Sequence, residues 1–249
     1  MPLDHSSVQS RLPSRRIDWY PQVDSTMILA ADLARSGAAS GTVVGADEQR
    51  AGVGRLGRSW NSPAETGLYV SIVLRLPLTG SAIPLVMLAL GLAAKQSIEA
   101  LTSLSVDLRW PNDVLVNGLK CAGILAHWEA DAIIAGIGIN VSQSEFPAGL
   151  DTPATSLLMR GARVKREDLL VELLESIDSF TEVLSRHSDE ILRRFTEASS
   201  FAQGRRVRVH QEGRTLEGVT CGLDASGFLL LREDSGAQTT ILAGGVRPA

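Results

Sequence analysis

The sequence of 249 residues predicts an α+β fold, in which a large mixed domain precedes a small all-β domain. Two observations support this prediction. Up to about residue 200, apolar β-rich runs alternate with segments whose apolar residues recur at helical spacing. After Gln203-Gly204 the helical pattern stops, and short strands follow with turns about every 8–12 residues. We therefore predict a small β-barrel of about 45 residues after a boundary near Ala202.

The composition excludes several classes of protein. With 44% hydrophobic and 21% charged residues, the chain has the composition of a soluble globular protein, and its net charge of −4 does not favour general nucleic-acid binding. Cys121 and Cys221 are the only cysteines and lie far apart, so we expect no disulfide framework and a reducing compartment. No apolar run approaches the roughly 20 residues of a membrane span, and the N-terminus lacks a signal-peptide core. We expect a cytoplasmic protein without membrane contact.

Local signals predict the elements of the N-terminal part in order. Residues 1–16 are polar, and we expect a mobile tail there. Ile17–Tyr20 is a short strand candidate. Asp24-Ser25-Thr26 is an N-cap cluster for a helix that Gly37 ends, and capping alone would explain this cluster. Thr42–Gln49 is rich in β-forming residues and leads into a glycine- and arginine-rich stretch.

Local signals also predict the strands and helices in the rest of the large domain. Leu68–Leu76 is apolar almost throughout and predicts a buried strand. Pro84 opens a strongly apolar helix that runs to about Leu101. Val106–Val141 contains strand-like runs, and Arg166–Ser200 has the apolar spacing of amphipathic helices. The predicted organisation is a tail (1–16), a large domain (17–202) and a small domain (203–249).

The stretch Arg50–Trp60 reads R-A-G-V-G-R-L-G-R-S-W and combines glycines with arginines. Glycine lets backbone N–H groups approach an anion, arginine binds phosphate or carboxylate through a fixed fork, and tryptophan offers a flat stacking surface. The stretch lacks the G-K-[ST] ending of a P-loop and the spacing of a dinucleotide fingerprint. It predicts a loop that closes over a phosphate attached to a ring. A solvated surface loop is the alternative that composition leaves open.

The dipeptide Asn117-Gly118 joins two strand-like runs and predicts a two-residue hairpin turn, because both turn residues need a positive φ. In the simplest register Asp113 lies opposite Ala122. Asp113 and Lys120 then share one face as diagonal neighbours, roughly 7–8 Å apart, with room for an anion or a metal between their tips. A position for Lys120 on an exposed edge of the sheet is the alternative.

The run A-I-I-A-G-I-G-I-N-V follows this hairpin and places Gly136 and Gly138 inside an apolar strand. Interior strand glycines mark a bulge or a close approach by a ligand or by backbone. Asn140, at the strand end, can pair with both a donor and an acceptor on the edge of a base. A core strand that ends in a turn asparagine is the alternative.

The order of these motifs resembles that of biotin protein ligase: Asp24-Ser25-Thr26, G-V-G-R-L-G-R-S-W, R-W-P-N-D, K-C-A-G-I-L, G-I-G-I-N and a last small β-barrel. The resemblance covers nearly the whole chain from about Ile17. It implies a mixed-sheet catalytic domain of the class II aminoacyl-tRNA synthetase and biotin ligase type, followed by an SH3-like domain. It also implies two reactions. Biotin and Mg-ATP give biotinyl-5′-adenylate and pyrophosphate, and the biotinyl group then moves to a lysine of the biotin carboxyl carrier protein of acetyl-CoA carboxylase.

The resemblance also implies roles for individual residues of this chain. The implied contacts of biotin are Ser25, Thr26, Gln49, Gly52, Arg55, Lys120, Gly123 and Gly136. The implied contacts of ATP are Arg55, Arg58, Trp60, Asn112 and Asn140. The implied catalytic residues are Arg55, Lys120 and Asp113, with Asp113 also as the Mg²⁺ ligand. Because the reaction joins two anions, cations are needed where the carboxylate meets the α-phosphate.

Two positions depart from the family's pattern. Val53 stands where an arginine is common, so loop closure loses one contact, and Arg109 replaces a common lysine, which keeps the charge but changes its geometry. Family members that repress transcription carry an N-terminal helix-turn-helix domain, whereas only 16 residues precede the catalytic start here. We therefore expect a monofunctional enzyme without specific DNA binding; a homodimer stays open. The alternatives are a lipoate or octanoate transferase of the same superfamily and a non-catalytic biotin-binding regulator.

Overall fold

The computed structural model describes residues 1–78, 82–150, 152–211 and 214–249. The helices in these ranges are α1 (His5–Arg11), α2 (Thr26–Arg35), α3 (Ile83–Leu101), α4 (Arg166–Arg186) and α5 (Ser188–Ala198). The strands of a first sheet are β1 (Ile17–Tyr20), β2 (Val43–Ala46), β3 (Gly67–Leu74), β4 (Val106–Arg109), β5 (Asp113–Val116), β6 (Leu119–Glu129) and β7 (Ala132–Asn140). The strands of a second sheet are β8 (Gln203–Gln211), β9 (Arg214–Leu223), β10 (Leu229–Glu233), β11 (Gln238–Ile241) and β12 (Gly245–Pro248).

The two sheets differ in topology. Within the described ranges, the first sheet has seven strands in the order β1-β2-β3-β7-β6-β5-β4. Its β1 and β2 run parallel, and the other neighbouring pairs run antiparallel. The second sheet is antiparallel, with the order β11-β10-β9-β8-β12. This architecture confirms the predicted α+β class, with a mixed sheet first and a second β-sheet in the C-terminal region.

Helices cover both faces of the first sheet. Side chains alternate along each strand, so neighbouring residues face opposite layers. Val43 and Ile72 belong to the large buried cluster that contains α3 and α4, whereas Val44 and Val73 belong to a smaller cluster formed with α2. The apolar run of β3 is therefore explained by burial on both faces.

The central helix of the core is α3. By length and composition alone its 19 residues are sufficient to cross a membrane, contrary to the expectation that no apolar run comes near that length. In the fold, 67% of this apolar stretch is buried, and Leu88, Leu90 and Ile98 have no exposed surface. The helix is apolar nearly all round because it lies between the sheet and α4.

The N-terminal segment, predicted to be a mobile tail, instead forms α1 and docks beside α4. Leu3 and Val8 are buried in the main core. Asp4 caps the helix by accepting a hydrogen bond from the Ser7 N–H at 3.1 Å. Arg11 donates to Asp168 of α4, which lies 157 positions further along the chain. Because the partner of this segment is distant in sequence, the polar local composition does not reveal that the segment is ordered, and the prediction of a mobile tail was wrong.

The hairpin between β5 and β6 has the predicted turn but a different register. Both turn residues have positive φ angles, 51° and 75°. Cys121 has no partner on β5 and forms a β-bulge, so Asp113 pairs with Gly123 and not, as predicted, with Ala122. The Cys121 thiol donates to the Val114 carbonyl at 3.4 Å. The extra residue shifts the pairing by one beyond the turn, which the hairpin signal alone does not show.

The second sheet joins the main core of the protein. Val207 and Leu229 belong to the same buried cluster as α3. Trp110 Nε1 donates to the Gly227 carbonyl at 2.9 Å across the junction. This buried contact fixes the R-W-P-N-D segment relative to the small domain.

Candidate active site

A cavity of about 410 Å³ lies where the Arg50–Trp60 stretch covers β6 and β7. The residues predicted from the sequence that line it are Thr26, Gln49, Arg55, Arg58, Trp60, Asn112, Asp113, Lys120, Gly123, Gly136 and Asn140. Ser25 and Gly52, also predicted, are not in its lining. Gly244, Gly245 and Arg247 of the small domain line it as well, and no sequence signal indicated that. The structure thus brings together residues from five separate motifs.

A chain of hydrogen bonds orients the Gln49 amide. Gln49 Oε1 accepts from the Thr26 N–H at 2.9 Å and from Thr26 Oγ1 at 3.1 Å. Gln49 Nε2 donates to Ser62 Oγ at 2.9 Å, and the Ser71 and Thr26 hydroxyls lie 2.8 Å apart. One hydrogen of Gln49 Nε2 is left for a ligand, because the amide nitrogen carries two. Ser62 and Ser71 were not predicted from the sequence, although the position of Ser71 within the apolar run of β3 is itself a signal.

Ser25 and Gly52 contribute to the site differently from the prediction. Ser25 precedes α2, but its side chain makes no capping hydrogen bond. Its hydroxyl is buried and has no partner among the residues that the structure describes, which leaves it able to bind a ligand group. At Gly52, an added Cβ would lie 2.5 Å from the Trp60 carbonyl oxygen. Glycine is needed there so that the loop can pack on itself, since the Gly52 carbonyl accepts from the Trp60 N–H at 2.8 Å.

The Asp113 carboxylate is held between two cations. Arg109 Nη2 lies 2.6 Å from Oδ2, and Lys120 Nζ lies 2.5 Å from Oδ1. Burial raises the pKa of Asp113, but the charges of Lys120 and Arg109 outweigh burial, so the pKa lies below its ordinary value. The predicted gap between Asp113 and Lys120 is absent, because a largely buried lysine and carboxylate are more stable in contact than apart.

Lys120 does not lie on an exposed sheet edge. On one side it pairs with Leu115 of β5, and on the other it forms a bridge to Ala154. Its N–H donates to the Pro153 carbonyl and its carbonyl accepts from the Thr155 N–H, both at 2.9 Å. The side chain is 20% exposed and lines the cavity. The edge-strand alternative is therefore wrong.

The residues present do not fit the predicted role of Asp113 as a direct magnesium ligand. Both of its oxygens already accept from cations. Over the described ranges, no group of three or more His, Cys, Asp or Glu side chains is placed to hold a metal ion. Mg²⁺ in nucleotide sites is commonly bound by one or two carboxylates together with phosphate oxygens. In this arrangement Asp113 serves as the counter-ion of Arg109 and Lys120.

The strand glycines make room for side chains that line the cavity. An added Cβ at Gly138 would lie 2.3 Å from Trp60 Nε1, and one at Gly123 would lie 3.0 Å from Trp60 Cζ3. At Gly136 it would lie 2.4 Å from the sulfur of Met27. The close approach predicted for these glycines therefore exists, with Trp60 and Met27 as the approaching groups. The Trp60 ring also lies under Lys120 Nζ, at 5.3 Å from the ring centroid.

Arg55 is a partly buried cation with neutral hydrogen-bond acceptors. Its Nη1 donates to Asn112 Oδ1 at 3.3 Å and to the Gly244 carbonyl at 3.5 Å. Burial lowers the pKa of Arg55 from its ordinary value, Asp113 opposes this shift and Arg58 adds to it. Arginine nevertheless remains protonated in proteins. A cation removed from water in this way favours the entry of an anion.

The two asparagines of the site are tied to the backbone. Asn112 Nδ2 donates to the Ile124 carbonyl at 3.0 Å, and its oxygen accepts from Arg55. Asn140 Nδ2 donates to the Thr155 carbonyl at 3.0 Å, and Gln143 Nε2 donates to Asn140 Oδ1 at 3.3 Å. Each amide keeps one hydrogen and one lone pair for a ligand.

The fold and the cavity together define a class of protein. Residues 19–144 match the Biotin/lipoate A/B protein ligase family, and residues 203–246 match the Biotin protein ligase C terminal domain. The large domain supplies the polar and cationic cavity, and the small domain supplies part of its wall. Within this class, the chain belongs to the biotin protein ligase family.

Individual relatives and solved structures agree with this assignment. A Biotin--[acetyl-CoA-carboxylase] ligase of Mycobacterium tuberculosis is 34% identical, over 98% of this chain and 94% of that protein. The Bifunctional ligase/repressor BirA of Bacillus spizizenii is 33% identical, over 93% of this chain and 74% of that protein. The biotin protein ligase from Aquifex aeolicus in complex with biotin and ATP has a TM-score of 0.82 and 31% identity, over 94% of this chain and 99% of that chain. The predicted family is confirmed.

Proposed function

We propose that this protein is an ATP-dependent biotin protein ligase that makes biotinyl-5′-adenylate and transfers biotin to a carrier-protein lysine. The observation that carries the proposal is the placement of Lys120 and Arg55 in one cavity with the neutral amides of Gln49 and Asn140. Such a cavity suits a ligand with neutral ends and negative charge at its centre, as biotinyl-adenylate has. The relatives named as biotin ligases support the same reaction and the same carrier partner.

The neutral ring of biotin would lie at the Gln49 end. A ureido group carries both N–H donors and a carbonyl acceptor. The free hydrogen of Gln49 Nε2 and the unpartnered Ser25 hydroxyl match such a group, because a buried polar ligand must satisfy its hydrogen bonds on entry. The Gln49 amide is already oriented by Thr26 and Ser62, so little ordering is needed on binding.

The chemical step would take place between the cations. The carboxylate oxygen of biotin forms a bond to the α-phosphorus of ATP, and the bond from that phosphorus to the bridging oxygen breaks and releases pyrophosphate. Two anions must meet for this, so Lys120 and Arg55 would stabilise the charge that they share. The acceptor lysine then attacks the acyl carbon, an amide bond forms and AMP leaves. Neither step requires a covalent bond to the enzyme.

The adenine end would be formed by Asn140 and the Trp60 ring, as the family resemblance implies. Asn140 can offer an N–H and an oxygen to the base, and Trp60 offers a flat surface that Lys120 already holds in place. A magnesium ion that accompanies the triphosphate would take its ligands from phosphate oxygens and water, because two cations already neutralise the charge of Asp113. A homodimer and a cytoplasmic location remain predictions.

The proposed function is tested by biotin-dependent exchange of labelled pyrophosphate into ATP. We expect exchange with biotin and none with lipoate at the same concentration. Exchange that depends on lipoate, or no exchange with either acid, would contradict the assignment. A carrier protein of acetyl-CoA carboxylase should then become labelled with biotin at a single lysine.

We expect no sequence-specific DNA binding. The net charge of −4 gives little electrostatic attraction to the phosphate backbone, which supplies much of the affinity of DNA-binding proteins. A mobility-shift assay at physiological salt tests this. Sequence-selective binding at nanomolar protein concentration would show that the expectation is wrong.

The Arg55→Gly variant is expected to release biotinyl-adenylate faster while keeping its affinity for biotin. Loss of a charge-assisted hydrogen bond to the adenylate phosphate costs about 1.5–3 kcal/mol, or roughly 10- to 150-fold in release rate. The released adenylate should then acylate lysines of bystander proteins. Rapid-filtration measurement of adenylate release checks the rate.

A matched control lies in the same loop. Arg50 pairs with the exposed Asp24 at 2.8 Å and does not line the cavity, so Arg50→Gly should leave the release rate unchanged. Equal release rates for Arg55→Gly and the unaltered protein would mean that Arg55 does not hold the intermediate.

A further inference from the structure

Gln143 is a buried amide beside the site that neither the motifs nor the proposed chemistry uses. It follows β7, and 2% of its surface is exposed. Its Nε2 lies 3.1 Å from the Tyr69 hydroxyl and 3.3 Å from Asn140 Oδ1. Its own Oε1 is buried and accepts no hydrogen bond from any residue in the described part of the chain. Gln143 is thus a polar side chain in the protein interior, with one polar atom that has no hydrogen-bond partner among the described residues.

The hydroxyl of Tyr69 determines which way the Gln143 amide points. Tyr69 is 1% exposed, and its hydroxyl donates to the Pro63 carbonyl at 3.1 Å. Its ring is fixed beside Gly67, where an added Cβ would lie 2.3 Å from the hydroxyl oxygen. Because the one hydroxyl hydrogen is used, Tyr69 can only accept from Gln143. The Gln143 nitrogen must therefore face Tyr69.

Gln143 and the Thr155 carbonyl fix the orientation of Asn140 from its two sides. The second hydrogen of Gln143 Nε2 meets Asn140, so the atom of Asn140 on that side must be its oxygen. On the other side the Thr155 carbonyl requires the Asn140 nitrogen. The backbone carbonyl of Gln143 accepts a hydrogen bond from the Ser156 hydroxyl at 2.6 Å, and this bond holds the backbone of Gln143 in place.

A fixed asparagine amide distinguishes adenine from guanine. Adenine presents an N–H donor next to a ring-nitrogen acceptor, which an oxygen and an N–H of asparagine can bind together. Guanine presents two acceptors at the same positions, so the asparagine oxygen would meet an oxygen. An amide free to rotate would lose part of this discrimination, because it can turn its NH₂ group toward the guanine oxygen.

We propose that Gln143 is a positioning residue that, together with Tyr69, locks the Asn140 amide and thereby sets selectivity for adenine over guanine nucleotides. The inference rests on the proposed function for the identity of the ligand. It concerns base selectivity, which is measured by nucleotide binding and does not depend on whether biotin transfer occurs.

The test compares binding of ATP and GTP to the protein without biotin, so that no adenylate forms, by titration calorimetry. We expect Gln143→Met, which keeps the volume and removes the amide, to lower the ATP-to-GTP affinity ratio about 10-fold, the discrimination that one base-edge contact provides. The Km for biotin in the exchange assay should stay within about twofold. An unchanged ratio, or equal weakening of both nucleotides, would overturn the proposal, because a merely structural role affects both alike.

A second variant keeps the test independent of folding. Tyr69→Phe removes the acceptor that orients Gln143 and leaves the buried ring in place, so it should lower the same ratio in the same direction. If Gln143→Met does not fold, the ATP-to-GTP affinity ratio of Tyr69→Phe decides whether the proposal stands. No preference for ATP over GTP in the unaltered protein would refute the inference even if biotin-dependent exchange is present. Absence of exchange with an intact ATP preference would instead count against the proposed function alone.

Discussion

Lys120→Ala is expected to slow biotin-dependent pyrophosphate exchange roughly 10²- to 10³-fold. Lys120 lines the cavity, and its ammonium group is held in place by Asp113 at 2.5 Å and by the face of Trp60. Negative charge accumulates where the biotin carboxylate attacks the α-phosphate. A cation already positioned there contributes about 3–4 kcal/mol, by analogy with the loss of one donor from an oxyanion hole.

The folded state should tolerate this change. Asp113 keeps Arg109 as a partner, so no carboxylate is left unpaired in the interior. Lys120→Arg should restore only part of the rate, because a planar guanidinium cannot replace a compact ammonium on a narrow stem. The control is Lys95→Ala, since Lys95 also pairs with one carboxylate, Glu99, but does not line the cavity. If Lys120→Ala exchanges pyrophosphate within twofold of the rate of the unaltered protein, at unchanged melting temperature, Lys120 takes no part in the chemical step.

Asp113→Ala is expected to destabilise the protein by about 3–5 kcal/mol, the range for breaking a buried ion pair on one side. The charge left behind is that of Arg109, whose side chain is 4% exposed. Among the residues that the structure describes, Arg109 would retain a hydrogen bond to Thr152 at 3.2 Å and the Phe201 ring at 5.7 Å, and neither contact neutralises its charge. For a chain of this size the melting temperature should fall by roughly 10 °C. Differential scanning calorimetry measures this shift.

An exposed ion pair serves as the control for Asp113. Asp131 pairs with Arg75 on the surface and is 79% exposed, so Asp131→Ala should leave the melting temperature unchanged. Equal melting temperatures for Asp113→Ala and Asp131→Ala would mean that the Arg109 charge finds another partner. Exchange activity should also fall in Asp113→Ala, because Lys120 loses the group that positions it.

The same carboxylate predicts a pH dependence. The pKa of Asp113 in the folded protein lies below its ordinary value of 3.8, so the unfolded chain binds this proton at higher pH than the folded one. The stabilisation is complete above pH 3.8 and is lost as the pH falls from 3.8 through the folded pKa. Asp113→Asn cannot titrate. Chemical denaturation at pH 7 and pH 3 should therefore show a smaller stability difference between the unaltered protein and Asp113→Asn at the lower pH.

Local signals in the sequence were sufficient for most of the elements, though not for α1, and for the family. The positive φ values of the β5–β6 turn follow from Asn117-Gly118 themselves, because turn preference is a property of adjacent residues. The helical spacing of Arg166–Ser200 likewise predicted α4 and α5 from contiguous residues. The order of the motifs then identified the family, and most residues assigned through that resemblance line one cavity.

Only the tertiary structure decided how those residues meet. Three features join parts of the chain whose pairing no local pattern encodes. They are the bulge at Cys121, the contact of Trp60 with Gly138 and the docking of α1 on α4. A register shift of one residue changes every partner beyond it, so the direct Asp113–Lys120 ion pair could not be distinguished from a gap by counting along two strands. Gln143 belongs to none of the sequence motifs. Its orientation follows from hydrogen bonds to Tyr69 and Asn140, which only the folded chain places on either side of its amide.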